Sequence, residues 1–95
     1  MTTVAPLSSE TCPGLAPGVR LTFDKVRDCW IVLAPERVLV PDETALEILQ
    51  RCNGVRPVGQ IVEELASVYN ADRREIAQDV EDMLSDLIEK RILTA

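Results

Sequence analysis

A chain of 95 residues holds one domain with a single modest core, and a hydrophobic content of 46% is ordinary for a globular fold. One Phe, one Trp and one Tyr are the only aromatic residues, so that core is built from Leu, Ile, Val and Ala. No apolar run is long enough to cross a bilayer, no signal-peptide pattern opens the chain, and the formal charge of −6 falls entirely on residues 42–95, which disfavours nucleic acid as a partner.

A cytoplasmic protein is therefore expected. Residues 1–16 show no period and are rich in Thr, Ser, Pro and Ala; they read as a flexible arm or linker, with the folded domain at 17–95. Val19, Leu21 and Phe23 alternate with Arg20, Thr22 and Asp24, the pattern of a half-buried strand. A polar connection at 25–28 leads to Cys29–Ala34, a continuous apolar run that suits a central strand covered on both faces, with Trp30 read as its largest core anchor in preference to a contact surface. Pro35-Glu36 makes a tight turn. Arg37, Val38, Leu39 and Val40 form a very short third strand that Pro41, lacking an amide donor, ends.

Three helices follow. Asp42 caps the first, whose apolar stripe is Ala45, Ile48, Leu49 and Cys52, and Asn53-Gly54 stops it. Pro57 opens the second, with Val58, Ile61, Val62, Leu65, Ala66 and Tyr69 on its apolar face and Asn70 at its end. Asp72 and Glu75 have the spacing of a capping box before the third, whose stripe of Ile76, Val80, Met83, Leu84, Leu87 and Ile88 is the longest in the chain. Lys90 and Arg91 suit the negative end of its dipole, and Ile92-Leu93 reads as a docking apolar tail. Strands first and helices afterwards define an α+β fold, like a winged helix-turn-helix: three short N-terminal antiparallel strands followed by three helices.

That architecture serves two functions, binding DNA or binding a peptide. Residues 72–91, the reading helix of a DNA-binding regulator, carry seven acids and four bases, a surplus that opposes entry into a groove. Peptide binding has a direct mechanism. A third strand of this length leaves backbone donors and acceptors at a sheet edge, where an extended guest can add as a further strand. Val38, Leu39, Val80, Met83, Leu84 and Leu87 are then the apolar groups placed to line a groove, although the same pattern also describes a plain core. The three cysteines, Cys12, Cys29 and Cys52, are widely spaced, and with no histidine in the chain they offer neither a zinc site nor an activated thiol. No catalytic residue, metal or cofactor is expected.

Several stretches together resemble the PqqD family of pyrroloquinoline quinone (PQQ) biosynthesis. They are Pro17–Leu21, Phe23-Asp24, Val26-Arg27, Trp30, Leu33–Val38, Ala45, Ile48-Leu49, Cys52–Gly54, Ile61–Leu65, Asp79-Val80, Leu84 and Leu87. Leu33–Val38, reading LAPERV behind a Trp-containing strand, is the most specific; Asn53 departs from the Asp that the family often shows. The resemblance spans about residues 15–93. It implies a peptide chaperone and not an enzyme. Such a protein is a recognition element for a ribosomally made precursor, which binds the peptide PqqA by strand addition and presents it to the radical S-adenosylmethionine enzyme PqqE. It also implies docking on the third strand and third helix, hence Arg37, Val38, Leu39, Val40, Asp79, Val80, Met83, Leu84 and Leu87 as site residues. Some members are fused to PqqC, for which the 1–16 arm suits a linker. The chain is expected to be a monomer or a weak homodimer that pairs through the same edge. Arg37 either meets a precursor carboxylate or pairs on the surface with Glu36. Asp79 is an orienting acceptor or a solvated acid. Glu63-Glu64 and Glu81-Asp82 read as solvated faces or as an acidic surface for the enzyme partner.

Overall fold

The computed structural model describes residues 8–95; the first seven residues of the expected arm lie outside the described residues. In chain order the elements are β1 (Gly14–Leu15), β2 (Arg20–Asp24), β3 (Cys29–Ala34), β4 (Arg37–Leu39), α1 (Glu43–Arg51), α2 (Val58–Tyr69), α3 (Arg73–Glu89) and β5 (Leu93–Thr94). The α+β class and the run of three strands before three helices are as the sequence indicates. The two short strands at either end of the chain are not foreseen by it.

Strands β2, β3 and β4 form one antiparallel sheet in that order, with Leu21 opposite Val32 and Val32 opposite Leu39. Opposed residues share a face, so this row turns inward, where Val32 is buried and Leu21 and Leu39 pack as half-buried neighbours on the core. Phe23 and Trp30 are opposed on the same face, at the far end of the hairpin, where β4 no longer pairs with β3. The middle of β3 is covered on both faces, since adjacent Ile31 and Val32 are both buried, but the expectation of a buried Trp30 is corrected. Trp30 is 37% exposed and meets Phe23 edge-to-face with ring centroids 5.7 Å apart. Three-residue β4 is too short to shield the whole of β3, so the aromatic pair packs on itself.

Beneath the sheet, the core joins Val32 to Ile48, Leu49 and Cys52 of the α1 stretch, to Val58, Ile61, Val62 and Leu65 of α2, and to Val80, Leu84 and Leu87 of α3. Each helix is set by its caps. Asp42 accepts from the Ala45 N–H at 2.7 Å; Asp72 accepts from the Arg74 N–H at 2.8 Å, one residue short of the capping-box donor. Asn70 ends α2 in the left-handed conformation at φ 49°. At the end of α3 the Ile92 N–H donates to the Leu87 carbonyl and the Arg91 N–H to the Ile88 carbonyl, both at 2.9 Å, a Schellman pair. Its left-handed residue is Arg91, at φ 62°, where glycine is usual; a side chain there costs roughly 1–2 kcal/mol.

That turn directs Ile92 and Leu93 into the core, both at most 1% exposed, and brings β5 against β1. Residues 8–16, expected to be part of a free arm, are thus tied to the body. The Ala16 N–H donates to the Ile92 carbonyl at 3.0 Å, the Gly54 N–H to Pro13, and the Val58 N–H to Thr11 at 2.8 Å. Pro13 and Ala16 are buried. The approach is close: a Cβ on Gly14 would stand 3.1 Å from the backbone of Gly54, which would have to give by a few tenths of an ångström and itself sits at φ 82°. The Asn53-Gly54 stop of α1 therefore also serves as the seat of β1.

A Gly14→Ala substitution is expected to lower stability by about 1–3 kcal/mol, because neither backbone can yield freely. Denaturant unfolding checks this; an unchanged midpoint would show that β1 does not contribute to the folded body.

Candidate functional site

The order β2-β3-β4 gives β4 one strand neighbour, β3, and no strand on its other side among the described residues. Backbone N–H and C=O groups on that side have no ladder partner, which is the chemical basis for accepting a guest strand. Arg37, Val38 and Val40 are exposed there, Val38 at 51%, and Leu39 is half-buried with its side chain on the core. Continuing the β3–β4 register sets Val38 beside Leu33 on the outer face of the sheet. A two-residue turn at Pro35-Glu36 is what positions this edge.

On α3 the expected residues divide. Asp79 is exposed and Met83 is half-buried against the core, so both can reach a ligand on the surface. Val80, Leu84 and Leu87 present almost no surface. They are 1%, 0% and 6% exposed and sit within the core cluster. Their expected place in a groove lining is corrected to a supporting one: the apolar stripe of α3 is spent on holding the helix against α1, α2 and the sheet. Leu84→Asp would therefore impair folding, because it buries a carboxyl without a partner.

Two cavities flank α3. One, of about 210 Å³, is lined by Thr44, Ile48, Leu65, Tyr69, Ile76, Asp79 and Val80 near the start of the helix. The other, of about 910 Å³, joins the β3–β4 turn to the end of α3 and the C-terminal strand. Arg37, Lys90 and Arg91 all line it, a grouping that sequence reasoning misses because the left-handed turn at Arg91 has no signature in residue type. Neither cavity collects strand residues 38–40 together with Asp79 and Met83. Arg37 forms no ion pair with Glu36 or with any other described residue.

Away from the edge, α1 and α2 are clamped by charge. Arg51 donates to Glu47 at 2.7 Å and to Glu64 at 3.0 Å; Glu64 also accepts from Gln60 at 2.9 Å and pairs with Arg56 at 3.4 Å. Glu64 is thus tied into a network, which corrects its reading as a solvated acid; Glu63 pairs with Arg73, also across helices. The Gln60 amide, then the Arg51 and Arg56 guanidiniums, hold the Glu64 carboxyl below its ordinary value. The Arg51 guanidinium is raised, chiefly by its hydrogen bond to Glu47. Cys52 is buried, donates to the Ile48 carbonyl at 3.1 Å, and has its thiol pushed up to about 12 by desolvation.

Comparison with known proteins places this geometry in a family. The family model described as "Coenzyme PQQ synthesis protein D (PqqD)" matches residues 29–93. A "PqqA binding protein" of Rhodopseudomonas palustris strain CGA009 is 55% identical over 87 residues, covering 90% of this chain and 85% of the relative. In structure the chain is similar to the PqqD truncation of Methylobacterium extorquens PqqCD, a solution structure described as a functional, stand-alone recognition element for ribosomally synthesized, post-translationally modified peptides (RiPPs). The TM-score is 0.77 at 39% identity, covering 94% of this chain and 95% of that one. It is also similar to crystalline PqqD from Xanthomonas campestris, with a TM-score of 0.59 at 43% identity and coverage of 94% and 99%. The strands-then-helices arrangement defines the class, the α+β fold of the solved PqqD structures. The chain belongs to the PqqD family.

Two outcomes follow from the site chemistry. Glu64 has a lower pKa folded than unfolded, so its contribution is full above the unfolded value and is lost as the pH falls through the folded one. Acid titration of thermal stability should therefore show a decline below the ordinary value of 4.5 that Glu64→Gln flattens; identical acid branches would discount the clamp. Native alkylation at pH 8 should label the half-buried Cys12 and Cys29 well before Cys52, as read by mass spectrometry; equal rates would contradict the burial of Cys52.

Proposed function

We propose that this chain binds a precursor peptide of the PqqA type as an additional strand on the open side of β4 and holds it for a radical S-adenosylmethionine enzyme of the PqqE type. The unpartnered edge of β4 carries this reading. Its N–H and C=O groups can pair with any extended backbone, which supplies affinity with little dependence on sequence. Selectivity then falls to the side chains at the edge, Arg37, Val38, Leu39 and Val40, with Asp79 and Met83 of α3 beyond them. The 55% identity to a PqqA binding protein and the likeness to a solved recognition element support the choice of ligand.

The role is that of a binder. What it contributes to the enzyme's reaction is position: an extended peptide fixed at one end has fewer conformations to lose when its reacting residues meet the enzyme. The acids Glu75, Asp79, Glu81, Asp82, Asp86 and Glu89 are all exposed on α3. They also weigh against the alternative of a DNA-reading helix, since phosphate would be repelled along its length.

Titration of isotope-labelled protein with PqqA should shift the amides of 37–40 and of the exposed flank of α3 while leaving α2 largely unmoved. Leu39→Arg should weaken binding about tenfold or more in a protein that still melts cooperatively. A folded Leu39→Arg protein with undiminished affinity, or shifts confined to α2, would reject docking at this edge.

A further inference from the structure

The cavity of about 910 Å³ opens at Arg37, the first residue of the proposed docking strand, and runs to the end of α3. Three cations line it, Arg37, Lys90 and Arg91, together with the acids Glu36 and Glu89. Lys90 is engaged by Asp86 at 3.0 Å. Arg37 and Arg91 are exposed and have no ion pair and no side-chain hydrogen bond to any described residue. Two arginines without a side-chain partner among the described residues therefore line one depression, in a chain with 16 acids against 10 bases.

Arg91 is the more telling of the two. It occupies the left-handed position of the Schellman turn, φ 62°, where glycine would relieve the strain between Cβ and carbonyl. Fold stability alone does not select an arginine there. A guanidinium offers donors in a planar fork that matches a carboxylate, and it stays charged at any physiological pH. The Ala16, Ala34, Ile88 and Leu93 groups in the same lining lower the local exposure to water once a guest covers the opening, which strengthens such a pair.

Resting on the peptide-binding reading above, we infer that this cavity is an anion subsite: Arg37 and Arg91 together hold one Asp or Glu side chain of the guest peptide, and so fix where along β4 the peptide begins. Strand pairing by itself permits slippage in steps of the backbone repeat; a carboxylate locked at the Arg37 end sets a single register. The ligand is thus an extended peptide with an acidic residue at the position that passes the β3–β4 turn.

Calorimetry with the PqqA precursor peptide tests this on wild-type protein, Arg37→Gln, Arg91→Gly and the double variant, with peptides in which each Asp or Glu is changed singly to its amide. Arg91→Gly is expected to melt no lower than wild type, since glycine suits the turn, and yet to bind more weakly. The double variant should lose about tenfold in affinity. One amide peptide should show the same loss on wild type and no further loss on the double variant. Wild-type affinity in the double variant would overturn the subsite while leaving docking at the β4 edge intact. Equal coupling to every acidic position would also overturn it, as general attraction without a site. Absence of binding to wild type would overturn both readings.

Discussion

Backbone hydrogen bonding at β4 is the constraint on which the structure turns. A strand of three residues satisfies one side of its backbone against β3 and leaves the other open. In most proteins such an edge is blunted by bulges, inward charges or a covering helix. Here it is short and begins with Arg37, while α3 spends its apolar stripe on the core. A short edge that begins with a charge limits unwanted strand pairing, and in the proposed mode it still offers backbone groups to an extended guest. In the proposed binding mode the guest supplies a fourth strand.

The proposed docking role asks that the edge be held in place, and the core beneath the sheet does this. Val32 in β3 carries the sheet onto a core shared by all three helices, and Leu84, with no exposed surface, lies within it. The chain is closed by pairing its two ends: Leu93 returns from α3 to meet Leu15, and the Asn53-Gly54 turn receives both Pro13 and Gly14. This closure also forms one wall of the cavity at Arg37, because Ala16, Leu93 and Thr94 line it. A change in the terminal pairing is thereby coupled to the shape of the site without touching β4 itself.

Much of this was legible in residue order. Alternation over residues 19–24, the apolar run at 29–34 and the i, i+3, i+4 stripes located every main strand and helix within a residue or two, and Asp42, Asn70 and Asp72 marked real caps. What escaped depends on tertiary partners. Gly14-Leu15 is too short to carry a period, and its strand character exists only because Leu93 lies opposite. Trp30 sits in an apolar run but at the end of the hairpin that β4 fails to cover, a matter of strand length and register. Val80, Leu84 and Leu87 share a stripe with Met83, yet only packing decides which of four neighbouring apolar residues faces out. Arg91 appeared as a dipole partner, and its left-handed backbone, which aims it at the cavity, has no local signal in an arginine.

The most direct measurement of the central claim is amide hydrogen exchange of residues 37–40 with and without the bound PqqA peptide. Exchange reports the hydrogen-bonded state of each backbone N–H and not merely proximity. If a guest strand completes the sheet, alternate amides of Arg37–Val40 become strongly protected while the amides of β2 change little. Binding with no added protection anywhere along β4 would mean that the peptide docks elsewhere, and the open edge would have no part in recognition.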